Sequence, residues 1–215
     1  MSVYMTTHEI FLEITKHLME DEKPSIYLNE LAKREVFNEY PFKLLKAMIK
    51  TEQSPTHHPE GSVWNHTMMV VDAAAKEKSL SEHPKVFMWG ALLHDIGKPP
   101  TTKLRKGRLT SYDHDKEGKM LAEEFLRCFT NDEDFIEKVV AFVRWHMQPL
   151  FVAKNLPFAD IDKMSEEIDL DEIALLSLCD RLGRGEMTEE KIEKEKNHVE
   201  EFRHKVEEKL AKACK

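Results

Sequence analysis

The stretch ALLHDIGKPP, residues 91–100, sets a histidine and an aspartate side by side where an apolar run ends in a glycine, a lysine and two prolines. Both side chains are costly to bury without partners, because an unpaired charge or polar atom loses its hydration. The dipeptide alone says little, since a chain with 11 histidines and 12 aspartates holds roughly 0.6 of them by chance. Helical spacing says more. His94 shares a face with Phe87, Gly90 and Ala91, His66 with Val63, Val70 and Ala73, and His146 with Val139, Phe142 and Val143. Spacings of three, four and seven put each histidine on an apolar, core-facing side. Asp180 falls with Ile173 and Leu176, and His114 with Gly118, Leu121 and Phe125. For one histidine the ordinary reading is a core residue satisfied by a backbone carbonyl. Five helices that each aim a ligand-type side chain inward fit a shared divalent transition metal better, because neutral imidazole and carboxylate suit such ions. Periodicity leaves open whether these faces converge.

The elements that must position these groups read as helices almost throughout, so the fold class is all-α. Thr6 and Glu9 form a capping-box pattern ahead of Ile10, Phe11, Ile14 and Leu18. Pro24 and Pro41 each suit a first helical turn, the second ahead of Leu44, Leu45 and Met48. Ser62 opens a helix through about Lys76, and Pro84 opens another that ends at Asp95. A loop rich in Lys, Arg, Thr and Gly runs to about Asp113, with no convincing strand alternation anywhere. Helices follow near 114–129, 133–147 and 169–182, and a charged helix from Thr188 is packed by Ile192, Val199 and Phe202. Trp64, Trp89 and Trp145 sit within helices and read as packing residues.

Composition sets bounds on function. The chain has 215 residues, 41% hydrophobic and 33% charged, enough for one core and one domain overall. No apolar run approaches the roughly 20 residues that span a bilayer, and the N-terminus lacks the pattern of a signal peptide, so the expected location is cytoplasmic with no membrane partner. Cys128, Cys179 and Cys214 form no CxxC pair, and Cys128 and Cys179 read as small core residues. A formal net charge of -8 argues against coating nucleic acid by bulk electrostatics. Neither a Gly-rich strand followed by paired aspartates nor a GxxxxGK[ST] loop is present.

His66, then His94-Asp95, then Asp180 resembles the motif of the HD superfamily of metal-dependent phosphohydrolases. The surrounding text, HPEGSVWNHTMMVVD, ALLHDIGKPPTT, GRLTSYDHDKEG, VVAFVRWHMQP and LSLCDRLGRG, is similar to the HD domain of bacterial tRNA nucleotidyltransferases. The likeness covers about residues 51–186, leaving residues 1–50 as N-terminal helices on the core and 187–215 as a charged C-terminal helix. One departure is Asp113, where that branch is expected to carry glycine. The resemblance implies a helical bundle with a central metal cleft. It implies that His66, His94, Asp95 and Asp180 hold one ion and His114 and His146 a second, with Asp95 bridging. The ions would be Mn, Fe, Co, Ni or Mg.

Two such ions can hold an activated water, as hydroxide, and a phosphoryl oxygen for in-line attack, so Asp95 belongs to the catalytic set. Lys98 stands beside the ligands as a candidate phosphate-charge stabiliser and catalytic residue. Lys103, Arg105, Lys106 and Arg108 read equally as a substrate-attracting patch or a solvated loop. Arg144, Arg181, Arg184 and His58 are further substrate-binding candidates, with Glu60 near the cleft rim. The expected partner is a small phosphorylated substrate, a nucleotide or an RNA end. The resemblance points to opening of 2′,3′-cyclic phosphodiesters and removal of 2′- or 3′-phosphate. Alternatives are a 5′-nucleotidase, an HD hydrolase of signalling nucleotides, or a non-catalytic module that keeps metal for stability.

Overall fold

The computed structural model describes residues 6–185 and 187–213. Thr6 caps α1 (Thr7–Glu20): its hydroxyl accepts from the Glu9 amide at 3.2 Å, and the Glu9 carboxylate accepts from the Thr6 amide at 2.6 Å. These bonds satisfy amides that have no partner within the helix. Pro24 starts α2 (Pro24–Leu31), whereas Pro41 lies in a turn ahead of α3 (Lys43–Ile49) rather than inside the helix. Ser62 caps α4 (Val63–Glu77), and Pro84 starts α5 (Pro84–Leu93), which stops before the Asp95 expected from spacing. One turn, α6 (Lys98–Thr101), follows.

The segment expected to be a plain loop holds a two-stranded antiparallel hairpin, β1 (Lys103–Arg105) and β2 (Arg108–Thr110). Its turn residues Lys106 and Gly107 have φ of 49° and 74°. Positive φ at both positions matches the twist of a two-residue hairpin turn. Beyond it lie α7 (His114–Arg127), α8 (Glu133–Trp145), α9 (Gln148–Ala153), α10 (Ile161–Glu167), α11 (Leu170–Leu182) and α12 (Glu189–Ala213). The short helices α9 and α10 escape the periodicity, because six or seven residues offer too few turns for a stripe to show.

The fold is all-α apart from that hairpin. α4, α5, α7, α8 and α11 pack against one another, and their termini meet at one cleft. Phe11 of α1 stacks on Trp89 and Phe129 with ring centroids 4.7 and 4.8 Å apart, joining the N-terminal helix to the same core. All three tryptophans are buried and each indole N–H donates inside the protein: Trp64 to Asn29 (2.8 Å), Trp89 to Thr15 (3.2 Å) and Trp145 to Glu167 (2.8 Å). α12 buries Val199, Phe202 and Val206 on α9 and α11, with Ile192 half-buried. Cys179 is buried as expected, but Cys128 is exposed, its thiol 3.4 Å from the Tyr40 hydroxyl. Cys214 lies outside the described residues. Among the described residues no helix is long and apolar enough to cross a membrane.

Two glycines set how closely the elements meet at the cleft. A Cβ on Gly97 would lie 2.0 Å from the His114 carbonyl oxygen and 2.4 Å from the Gly118 amide nitrogen, so only glycine lets the His-Asp turn rest on α7. A Cβ on Gly183 would lie 2.6 Å from a Val70 methyl. That contact brings the end of α11 onto α4 and the Gly183 carbonyl onto His66.

Candidate metal centre

His66 stands in the first turn of α4, His94 closes α5, His114 opens α7 and His146 closes α8. Each sets its Nδ1 against a main-chain carbonyl: Gly183 at 3.1 Å, Ala91 at 2.8 Å, Ser111 at 2.7 Å and Val143 at 2.7 Å, in that order. A carbonyl only accepts, so each Nδ1 carries hydrogen, and Nε2 is the nitrogen each ring leaves for a metal. The expectation of core histidines satisfied by carbonyls is thus half met. One nitrogen of each ring is satisfied; the other faces the cleft in His114 and His146, and in His66 and His94, which do not line the cleft, it faces Asp95.

The Nε2 atoms of His114 and His146 lie 3.0 Å apart. Burial, the largest effect on both rings, pushes each pKa down to about 4, so both are neutral near pH 7. Two lone pairs then face each other at contact distance, an arrangement that a shared cation relieves. Asp95 Oδ1 lies 3.5 Å from His114 Nε2 and 3.6 Å from His146 Nε2. Its Oδ2 lies 3.2 Å from His94 Nε2 and 3.8 Å from His66 Nε2, and Asp180 Oδ1 is 2.9 Å from His66 Nε2. Donors held about 2.1 Å from one ion stand roughly 3.0–3.4 Å from one another in octahedral or tetrahedral geometry, close to these spacings.

His66 Nε2, His94 Nε2 and Asp95 Oδ2 are buried and lack an aligned hydrogen-bond partner. Lys98 Nζ, 2.7 Å from Asp95 Oδ2, and Asp180 reach these atoms by charge attraction, outside hydrogen-bond alignment. Buried atoms of this kind are rare in folded proteins unless a water or ion completes them. Burial would raise the Asp95 carboxyl, but His94 and Lys98 hold it well below the usual carboxylate range. Burial likewise opposes ionisation of Asp180, and Arg184 and His66 hold it well below that range. Two carboxylates and the imidazole nitrogens converge, so the donor set fits one or two divalent ions.

Glu60 supports this set from outside. Its Oε1 lies 3.0 Å from His66 Nδ1 and 2.8 Å from His58 Nδ1, and its side chain is 4% exposed. A carboxylate on the far ring nitrogen fixes a ligand histidine's orientation and raises its basicity. Burial works against charging His66, yet Asp180 and Glu60 raise its pKa above the ordinary histidine value.

The cleft encloses about 350 Å³, and Asp95, Lys98, His114, His146 and Asp180 line it. His58, Arg181 and Arg184 also line it. Lys98, buried, donates to Gln53 Oε1 at 2.6 Å. Arg184 donates to Asp180 Oδ2 at 2.7 Å, and Arg181 reaches back to Glu195 of α12 at 2.6 Å. Arg144, a substrate-binding candidate, stands apart from these. It is absent from the cleft wall, because its guanidinium pairs with the buried Asp115 carboxylate and lies over the Trp145 ring. The basic side chains of Lys103, Arg105, Lys106 and Arg108 also stay out of the cleft lining, while Leu109, Thr110, Ser111 and Tyr112 enter it. Gln53 and Ser177 carried no sequence signal: Gln53 lies in an irregular segment, and Ser177 is one polar residue among helix positions.

A family model described as the HD domain matches residues 63–185. The chain is 30% identical over 138 residues to the Multifunctional CCA protein of Actinobacillus pleuropneumoniae serotype 5b (strain L20), covering 61% of this chain and 32% of that protein. It is 30% identical over 146 residues to the Multifunctional CCA protein of Halorhodospira halophila (strain DSM 244 / SL1), covering 65% and 34%. A third, from Pseudomonas syringae pv. syringae (strain B728a), is 30% identical over 114 residues, covering 51% and 26%. The match thus spans about a third or less of the length of these relatives. Since residues 63–185 are more than half of the 215 and take in His66, His94, Asp95, His114, His146 and Asp180, the chain belongs to the HD domain family, whose members are generally metal-dependent hydrolases.

Proposed function

We propose that the protein is a phosphohydrolase of nucleotide phosphoesters, opening 2′,3′-cyclic phosphodiesters and removing 2′- or 3′-phosphate from nucleotides or RNA ends. The observation that carries this reading is the division of donors around Asp95. One of its oxygens faces His114 and His146, the other faces His94 and His66, and a lysine and an arginine stand at the same cleft. His66, His94, Asp95 and Asp180 would hold one ion, and His114, His146 and Asp95 a second. Divalent ions there would acidify water and polarise a phosphoryl oxygen.

The chain's own residues do the rest. Lys98 and Arg184 place positive charge beside the carboxylates, where the oxygens of a phosphoryl group would gather negative charge during attack. Lys98 is held by Gln53 at a fixed point, which reduces the rearrangement needed when that charge develops. A cleft of about 350 Å³ suits a mononucleotide or a nucleic-acid terminus better than a duplex. A net charge of -8 points the same way, because long duplexes require an extended basic surface. The choice of 2′,3′-cyclic and 2′- or 3′-esters rests on the likeness to the HD segment of proteins named multifunctional CCA proteins.

The test loads the protein with manganese, cobalt, nickel or magnesium in turn and compares 2′,3′-cyclic, 3′- and 5′-nucleotides at matched concentration. The reading requires cleavage of cyclic and 3′ esters that stops with chelator and returns with metal. Turnover confined to 5′-monophosphates would overturn it in favour of a 5′-nucleotidase.

A further inference from the structure

The hairpin places an aromatic residue at the cleft for which the metal chemistry has no use. Tyr112 lines the cleft yet is 65% exposed. One face of its ring carries the Arg105 guanidinium, 4.8 Å from the centroid. Arg105 is itself anchored across the hairpin, donating to the Thr110 hydroxyl at 2.6 Å, so the ring rests on a fixed cation. Among the described residues no second ring stacks on Tyr112.

Its position is tied to the metal centre through the backbone. The carbonyl of Ser111, the preceding residue, accepts from His114 Nδ1 at 2.7 Å, and the Ser111 hydroxyl meets that of Thr102 at 2.8 Å. Asp113 then turns the chain with φ of 59° and ψ of 20°, so that His114 enters the centre while Tyr112 stays at the mouth. α9 adds Leu150, and its flanking residues Met147 and Lys154, to the same cleft. The cleft lining therefore includes an anchored aromatic face and the apolar side chains of Met147 and Leu150. A phosphate has no need of that surface, and a nucleobase fits it.

We propose that Tyr112, backed by Arg105, is the platform on which the nucleobase of a nucleotide substrate stacks, and so is the residue that separates nucleotides from other phosphoesters. This rests on the reading that the substrate is a nucleotide. Stacking a base on an aromatic ring accepts every base, because each has a π-face, and a cation behind the ring strengthens the hold. The platform accordingly favours nucleotides over sugar phosphates without choosing strongly among bases.

The experiment reads binding, not turnover, by titration calorimetry on the manganese-loaded full chain. The probes are the hydrolysis-resistant 3′- and 5′-methylenephosphonates of adenosine and the matching methyl ribosides, which lack the base. Wild type is expected to bind an adenosine compound at least about tenfold more tightly than its riboside, and Tyr112→Ala to weaken the adenosine compound about 5- to 100-fold with the riboside unchanged. Tyr112→Phe should match wild type, and Arg105→Met should fall between. Equal affinity of wild type for both probes, an adenosine affinity untouched by Tyr112→Ala, or an equal loss for both probes would each overturn the proposal. Tyr112 is exposed, so unchanged thermal melts of the variants exclude misfolding as the cause. If base-dependent affinity survives while no cyclic or 3′ ester is cleaved, the hydrolysis reading falls and the platform stands.

Discussion

Among the described residues, Asp95 alone offers one oxygen to the His66–His94 side of the centre and the other to the His114–His146 side. Its replacement by alanine should therefore be the most damaging single change, taking both metal content and turnover to background. Metal analysis of the purified variant checks this, and retention of a full metal complement would contradict it. Lys98 touches the same carboxylate but fits a different role. Lys98→Ala is expected to keep the metal while turnover falls by roughly 10²- to 10³-fold, the range for loss of one electrostatic donor. Unchanged turnover with metal retained would make Lys98 a structural residue of the α6 turn. Arg144 separates the two kinds of basic residue. Arg144→Ala leaves the buried Asp115 without its partner, so it should cost about 1–3 kcal/mol in denaturant unfolding while substrate affinity holds. Sequence spacing put Arg144 two residues from His146 but could not show that it turns toward α7.

The helices that carry the donors were legible because each is long enough to show an apolar stripe, and Ser62 and Pro84 mark the starts of two of them. Convergence was not legible, because periodicity says which side a residue takes and nothing about where that side meets another helix. The hairpin was missed for a local reason. Two strands of three residues each leave no room for alternation, and the signal was the Lys106-Gly107 pair in a basic stretch that resembled solvated loop. Asp113 shows the reverse case. The expected glycine marks a left-handed backbone, and aspartate tolerates that conformation better than most residues, so the departure leaves the turn intact. At this scale the sharpest prediction is Gly97→Ala. The added methyl would strike the His114 carbonyl and force α6 from α7, costing about 1–3 kcal/mol in thermal or denaturant melts. A variant as stable as wild type would show that the turn can shift without loss.

Across the whole molecule, one core holds residues from the first helix to the last and closes around a cluster of polar atoms that apolar packing cannot satisfy. Metal binding and folding stability are therefore linked, since an ion that binds the folded centre alone stabilises it by mass action. Manganese at one hundred times its dissociation constant should add about 2.7 kcal/mol over the chelated protein for each ion bound, each raising the melting midpoint by roughly 5–10 °C. Identical melts with chelator and with manganese would deny that link. The central claim is that two ions share Asp95, and counting ions tests it most directly. Manganese titrated into chelator-treated protein should saturate at two ions per chain, and at one in the His114→Ala, His146→Ala double variant. A single ion per chain in both proteins, or none, would contradict it.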